Sequence, residues 1–212
     1  MSKLKKAILF GDYTNANWHP VTGIDRELSE ILADEVEVVC TEEYGDFQRQ
    51  DLEPYDLVIT YADRWQDKTT PALVDAVLAF VSGGGGMLCL HNGIIVSDYE
   101  LSQMFGGTFT GHPPFETLQF KVTSSTEHPI VEGVTDFSMG EEPYQFDFDA
   151  FTEKTILLKY QYEEKLWPAA WAQTFGKGRV AYLAPGHNVQ VFQNPMFRRL
   201  VSNSARWALG HA

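Results

Sequence analysis

The chain has 212 residues, 44% of them apolar and 13% aromatic, enough for one well-packed core and short for two, so residues 1–212 are read as a single domain. No apolar run approaches the roughly 20 residues that a membrane-spanning helix needs, which argues against a membrane partner. A formal net charge of -13, with no Lys/Arg stripe to reverse it locally, repels phosphate backbones and argues against nucleic acid; it otherwise reads as a solvated surface.

The amino-terminal MSKLKKAILF is cut off at Gly11-Asp12 with no cleavage pattern following, so residues 5–11 are read as a buried first strand and not as a signal peptide. A loop over residues 12–20 follows, carrying Asn15, Trp18, His19 and Pro20. Thr22 is placed to cap a helix whose apolar residues Ile24, Leu28, Ile31 and Leu32 recur at helical spacing, and EVEVVC then alternates as a strand should. DLVITY, from Asp56 to Tyr61, is the next buried strand, and Thr70-Pro71 starts a helix that runs to Val81. Gly83 to Gly86 stop that helix and feed the strand MLCLH, which turns at Asn92-Gly93. This alternation predicts right-handed crossovers and a parallel sheet.

After Gly107 the pattern changes. TLQFKVTS, FSMGEEPYQFDF and TILLKYQY are strand-like with little helix between them, as expected of an antiparallel extension. PAAWAQTFGKGRVAYLAPGH reads as a hairpin through Gly176-Lys177-Gly178 whose second arm rejoins the sheet, and residues 195–209 form a closing helix. Cys40 and Cys89 both sit in apolar strands, so no disulfide framework is expected and the cytoplasm is the expected home.

An open parallel sheet binds ligands beyond the carboxyl ends of its strands. That rule selects the loops Gly11 to His19, Ala62 to Gln66, His91 to Ile94 and Gly186 to Val189. His91 ends a buried strand at a tight turn, and His187 ends another after Pro-Gly, which would bring the two together if those strands are neighbours. His112 follows a glycine-rich loop, where a ligand contact and a plain loop histidine fit equally, and His19 is the weakest of the four. His128, in a His-Pro turn, reads as structural, and the terminal His211 is set aside. Imidazoles with an ordinary pKa near 6.5 serve as acid, base or metal ligand according to their surroundings. No local metal-binding motif is present, so a metal site, zinc if any, has to be assembled by the fold from His91, His112 and His187. Glu141 and Glu142 offer a carboxylate as base, ligand or hydroxyl acceptor, or a solvated acidic edge. Among the aromatics, Trp18 and Trp65 fall in ligand-facing loops and are candidates to stack on a sugar ring; His19, Tyr144 and Asn92 complete the candidate binding set.

The ordered segments GGGGMLCLHNGI, FGGTFTGHPP, HPIVEGV, EEPYQF, PAAWAQTFGKGRVAYLAPGH and NPMFRRLVSNSARWALG, spanning about Lys5 to Gly210, resemble the trehalose-utilisation (ThuA-like) family. The resemblance implies a class I glutamine amidotransferase-like fold, a flavodoxin-like three-layer α/β sandwich with a mostly parallel sheet and an antiparallel extension, and a link to carbohydrate metabolism. Amidotransferases of this fold carry a cysteine at a strand-to-helix elbow, in a Gly-x-Cys-x-Gly context, and a later histidine as its base. Here the elbow falls on His91, Cys89 lies two residues earlier on the strand, and His187 stands where the base would be without a nucleophile to serve. Glutamine hydrolysis by a thiolate is therefore not expected. The expectation is a protein acting on a sugar or keto-sugar, with His91, His187 and Glu142 as acid/base or metal-ligating groups, and with a homodimer as a plausible assembly. The alternative is a non-catalytic protein that binds a sugar or a partner in the same cleft.

Overall fold

The computed structural model describes residues 4–123 and 127–210. In chain order the elements are β1 (Lys5–Phe10), α1 (Ile24–Leu32), β2 (Val36–Thr41), α2 (Arg49–Leu52), β3 (Leu57–Thr60), α3 (Trp65–Lys68), α4 (Pro71–Gly83), β4 (Gly86–Leu90), α5 (Tyr99–Phe105) and β5 (Gly107–Gly111). They continue with β6 (Glu116–Val122), β7 (Phe137–Glu141), β8 (Gln145–Phe148), β9 (Thr155–Tyr162), β10 (Lys165–Phe175), β11 (Gly178–Leu183) and α6 (Pro195–Ala208).

Nine strands form one sheet in the order β2-β1-β3-β4-β11-β10-β9-β6-β7. The first five are parallel and the rest antiparallel, so the parallel half has the 2-1-3-4-5 order of a flavodoxin-like fold with β11 as its fifth strand. The sequence explains which strands sit in the middle. LVIT in β3 and GMLCL in β4 are buried at every position, as strands covered on both faces must be, whereas the edge strand β2 exposes Glu37 and Val39. α1 buries Ile24, Leu28 and Leu32 and packs beside α6, while α4 packs with α2 and α5. Thr70 accepts a hydrogen bond from the Leu73 amide with Pro71 in the first turn, and Asn194 caps α6 in the same way through the Met196 and Phe197 amides.

Four local expectations are corrected. Thr22 does not cap α1: the helix starts after Gly23, which takes a left-handed φ of 86°, and Asp25 accepts the Gly23 N–H. FSMGEEPYQFDF is not one strand, because Glu142, Pro143 and Tyr144 interrupt it and send β7 to the large sheet and β8 to a two-stranded ribbon with β5. The strand predicted as TLQFKVTS begins one residue earlier and ends at Val122; its last predicted residue, Ser124, lies outside the described residues. The helix α5 and the single turns α2 and α3 have no counterpart in the sequence reading, since each is too short to build a period of its own.

Candidate functional site

The carboxyl ends of the parallel strands deliver one histidine each from three loops. His19 follows β1, His91 follows β4 and His187 follows β11, and β4 and β11 are hydrogen-bonded neighbours. The break between β7 and β8 supplies Glu142 from the other side. His91 is held in a left-handed backbone conformation, φ 45°, a costly state for a residue with a Cβ and one typical of functional elbows. Gly186 makes room for it: a Cβ on that glycine would stand 2.8 Å from the Cβ of His91.

The side chain of His91 is fully buried, and its Nδ1 lies 2.7 Å from the Ala184 carbonyl oxygen. A carbonyl only accepts, so Nδ1 carries the proton and, in the neutral ring, Nε2 is left with its lone pair. That Nε2 is 3.4 Å from Oε2 of Glu142, His187 Nδ1 is 3.3 Å from the same oxygen, and His19 Nε2 is 3.9 Å from it. Tyr144 stacks on the far face of the His91 ring at 4.2 Å between centroids.

Beneath this cluster Glu141 is buried. It accepts hydrogen bonds from the amides of Glu142 (2.8 Å), Gly186 (2.7 Å) and His187 (3.2 Å), tying the strand break to the loop that carries His187. Burial raises its pKa, partly offset by His91 and the three amides. Burial also works against ionisation of Glu142, but the imidazoles of His187 and His91 outweigh it and hold that carboxyl well below the usual carboxylate range. Glu142 in turn raises the pKa of His187 against the effect of partial burial. Burial and the neighbouring His91 push His19 down to about 3, so it is neutral at physiological pH.

The sequence profile of the ThuA family, described as trehalose utilisation, matches residues 10–208. The chain belongs to the ThuA family. ThuA-like proteins from Bacteroides uniformis and Parabacteroides merdae have the same fold, each at 18% identity, with TM-scores of 0.78 and 0.79. The alignments cover 98% and 99% of this chain and 93% and 92% of theirs. A cytoplasmic protein of Salmonella typhimurium LT2 aligns with a TM-score of 0.71 at 13% identity, over 96% of this chain and 99% of its own. No curated protein matches the chain.

In this ThuA chain the cluster opens into a cleft of about 660 Å³. Trp18, Asp63, Phe109, His112 and Tyr144 line it alongside His19, Glu142 and His187, with His91 buried behind them. Trp65 and Asn92 take other places, and His112 lines the cleft apart from the cluster. Trp65 is fully buried and packs edge-on against Phe10 and Phe105, so its indole belongs to the core and not to the cleft; its loop position put it on the first turn of α3, facing inward. Asn92 is also buried, and its side-chain amide donates to the Tyr61 carbonyl at 3.0 Å, a brace between the β3 and β4 loops. His112 is outside the group of four whose donor atoms lie within 4.8 Å of one another: its Nδ1 approaches its own loop at the Pro113 carbonyl and its Nε2 reaches only the other oxygen of Glu142, at 3.8 Å. His19 is the third histidine of that group. Cys89 is buried completely and burial raises its thiol pKa well above the ordinary value, which keeps it from acting as a nucleophile. Among the described residues no helix is long and apolar enough to cross a membrane.

Proposed function

We propose that this protein is a cytoplasmic metal-dependent enzyme of carbohydrate metabolism that acts on a sugar or keto-sugar, with zinc held by His19, His91, Glu142 and His187. The observation that carries the reading is the set of unsatisfied atoms at the cleft floor. Nδ1 of His19, Nε2 of His91, Oε2 of Glu142 and Nδ1 of His187 are each buried without a hydrogen-bond partner. Leaving a buried polar atom unpaired costs about 1–3 kcal/mol, and those of His91 and His187 both face the Glu142 oxygen, as ligands of one ion would.

The spacing fits. Tetrahedral donors around zinc, with bonds of about 2.0–2.1 Å, stand about 3.3 Å apart. His187 Nδ1 and His91 Nε2 stand 3.3 and 3.4 Å from Glu142 Oε2, and one ring nitrogen of His19 lies within 4.8 Å of the other three donors. Three imidazoles and one carboxylate suit zinc or a neighbouring transition metal and not calcium or magnesium, which take oxygen donors. Zinc held by these four residues would act as a Lewis acid on a carbonyl or hydroxyl oxygen by accepting it as a fifth ligand. The Ala184 carbonyl fixes the tautomer of His91, Glu141 holds the loop of His187, and Tyr144 stacks on the His91 ring. His112, a third exposed and outside the ligand set, is the imidazole left to take or give a proton at the cleft wall. A phosphohistidine role for His91 is disfavoured, because the Glu142 carboxylate would repel the phosphate.

The test has two stages. Elemental analysis of the purified protein should find about one zinc per chain that survives dialysis, and incubation with trehalose, glucosides and their keto derivatives should give turnover that a chelator abolishes and zinc restores. Stoichiometric zinc without turnover would leave a sugar-binding protein; absence of both would end the proposal.

A further inference from the structure

The mouth of the cleft carries a pair of residues that the metal reading does not use. Trp18 is 83% exposed, although its loop is tied down: its backbone N–H donates to Oδ2 of Asp63 at 2.6 Å, across from the loop after β3. Asp63 is in turn set by a buried scaffold. Oδ2 of Asp12 accepts from the amides of Asp63 and Arg64, both at 3.0 Å, and from the Tyr44 hydroxyl at 2.7 Å, while Lys68 neutralises its other oxygen at 2.7 Å. An elaborate and mostly hidden arrangement thus presents a bare indole face and a carboxylate side by side on the cleft. Folding gains little from leaving an indole that exposed, so the pair is read as a binding surface.

Its chemistry is narrow. A pyranose ring has an apolar face of C–H groups that an indole covers, and hydroxyls at its edge that a carboxylate accepts in charge-assisted hydrogen bonds. Among the described residues lining the cleft there is no lysine or arginine. The two nearest along the chain are engaged elsewhere, Arg64 with Asp67 and Lys68 with Asp12. Asp63, the carboxylate beside Trp18 that no metal neutralises, would repel a phosphate or a carboxylate on a ring stacked there.

We infer that Trp18 and Asp63 form a subsite for the ring of an uncharged sugar, one that rejects phosphorylated and acidic sugars, at the mouth of the His/Glu cleft. This deepens the proposed function and rests on it for the location of the reacting group, but the subsite is testable apart from the metal. Trp18 is by far the most exposed indole of the described chain, so its fluorescence reports occupancy. Zinc-loaded protein is titrated with trehalose, methyl glucoside, glucose 6-phosphate and gluconate, and cobalt uptake is read separately from its visible absorption.

The expected result is a saturable fluorescence change with the neutral sugars, at least about tenfold weaker with the two anions, and lost in Trp18→Ala. Asp63→Asn keeps an oxygen for the Trp18 amide but loses the charge. Neutral-sugar affinity should fall by about tenfold, the worth of a hydrogen bond to a charged group, with thermal melting and cobalt spectrum unchanged. Equal binding of neutral and phosphorylated sugars, or cobalt uptake with no neutral sugar perturbing Trp18, overturns the subsite while leaving the metal reading intact. Neutral-sugar quenching in a protein that takes up no metal supports the subsite and overturns the metal reading.

Discussion

His91 Nδ1 stands 2.7 Å from the carbonyl oxygen of Ala184, the first residue beyond β11. This one hydrogen bond links the ends of two adjacent parallel strands and aims the opposite nitrogen of the ring at Glu142. A backbone carbonyl behind a histidine is the usual orienter of a metal-binding imidazole.

His91→Ala should therefore abolish retention of zinc through dialysis, and Glu142→Gln should weaken it by at least about the 10–100-fold typical of lost supporting interactions, since it removes a ligand outright. His112→Ala should leave zinc stoichiometry and affinity unchanged, because that ring lies outside the four-residue set. Competition against a chromophoric chelator measures all three. An equal loss in the His112 variant would place His112 among the ligands and overturn the four-residue set.

Trp65 makes the opposite kind of prediction. Its ring is fully buried against Phe10, Tyr44 and Phe105, so Trp65→Ala should cost about 3–5 kcal/mol of stability by denaturant unfolding, with neutral-sugar affinity unchanged where the protein remains folded. Trp18→Ala should do the reverse, since an 83% exposed side chain contributes little to the core.

These two tryptophans mark how far the sequence carries. The parallel half of the sheet was legible because strands buried on both faces read as continuous apolar runs, and the loops at their carboxyl ends follow from topology. Which way a loop residue faces has no such signature. Trp18 and Trp65 sit in equivalent loops, and only the turn of α3 rotates Trp65 inward. Likewise the pairing of His19 with His91 and His187 depends on where the loop over residues 12–20 folds back, which is decided by long-range hydrogen bonds such as Trp18 to Asp63 and not by local spacing. Glu141 and Glu142 are adjacent and chemically identical in the sequence. The strand break at Pro143 gives one to the backbone and the other to the cleft.

The metal-free protein should lose stability in mild acid. His19 has an ordinary pKa of 6.5 in the unfolded chain and about 3 when folded, so between those values the unfolded state holds the extra proton and stability falls as pH falls. His187 works in the other direction: its pKa is raised in the fold, so its contribution is complete below 6.5 and is lost as pH rises through the folded value. Glu142, whose pKa is lowered, adds its own loss only as pH drops below its ordinary 4.5. Between pH 6.5 and 4.5 His19 drives the loss, the half-exposed His128 adds an effect of the same sign, and the buried Glu141, whose pKa is raised, works against it. Urea midpoints in a chelator at pH 7, 6 and 5 should fall for the wild type and fall less for His19→Gln. Parallel slopes for the two proteins would show that His19 is not held neutral.

Glu141→Gln is the most demanding test of the arrangement beneath the cluster. The wild-type carboxylate accepts from three backbone amides, those of Glu142, Gly186 and His187, and its Oε1 lies 3.9 Å from Nδ1 of His91. Glutamine has the same shape but only one accepting oxygen, so its NH2 group must face at least one of those amide donors, and the 186–187 loop or the Glu142 backbone has to move. Both carry zinc ligands or lie beside one, and displacement of a supporting partner costs about 10–100-fold in metal affinity. The expected result is a protein that melts cooperatively and still binds neutral sugar at Trp18, but whose zinc affinity drops by that factor and whose cobalt spectrum changes in band position, the mark of altered ligand geometry. Glu141→Asp shortens the side chain by one methylene while keeping both oxygens and the charge, and should recover part of the loss. A Glu141→Gln protein with wild-type zinc affinity and cobalt spectrum would mean that the His187 loop is held by the rest of the fold, chiefly the Tyr61 hydroxyl bonded to the Gly186 carbonyl, and that the buried carboxylate has no part in setting the site.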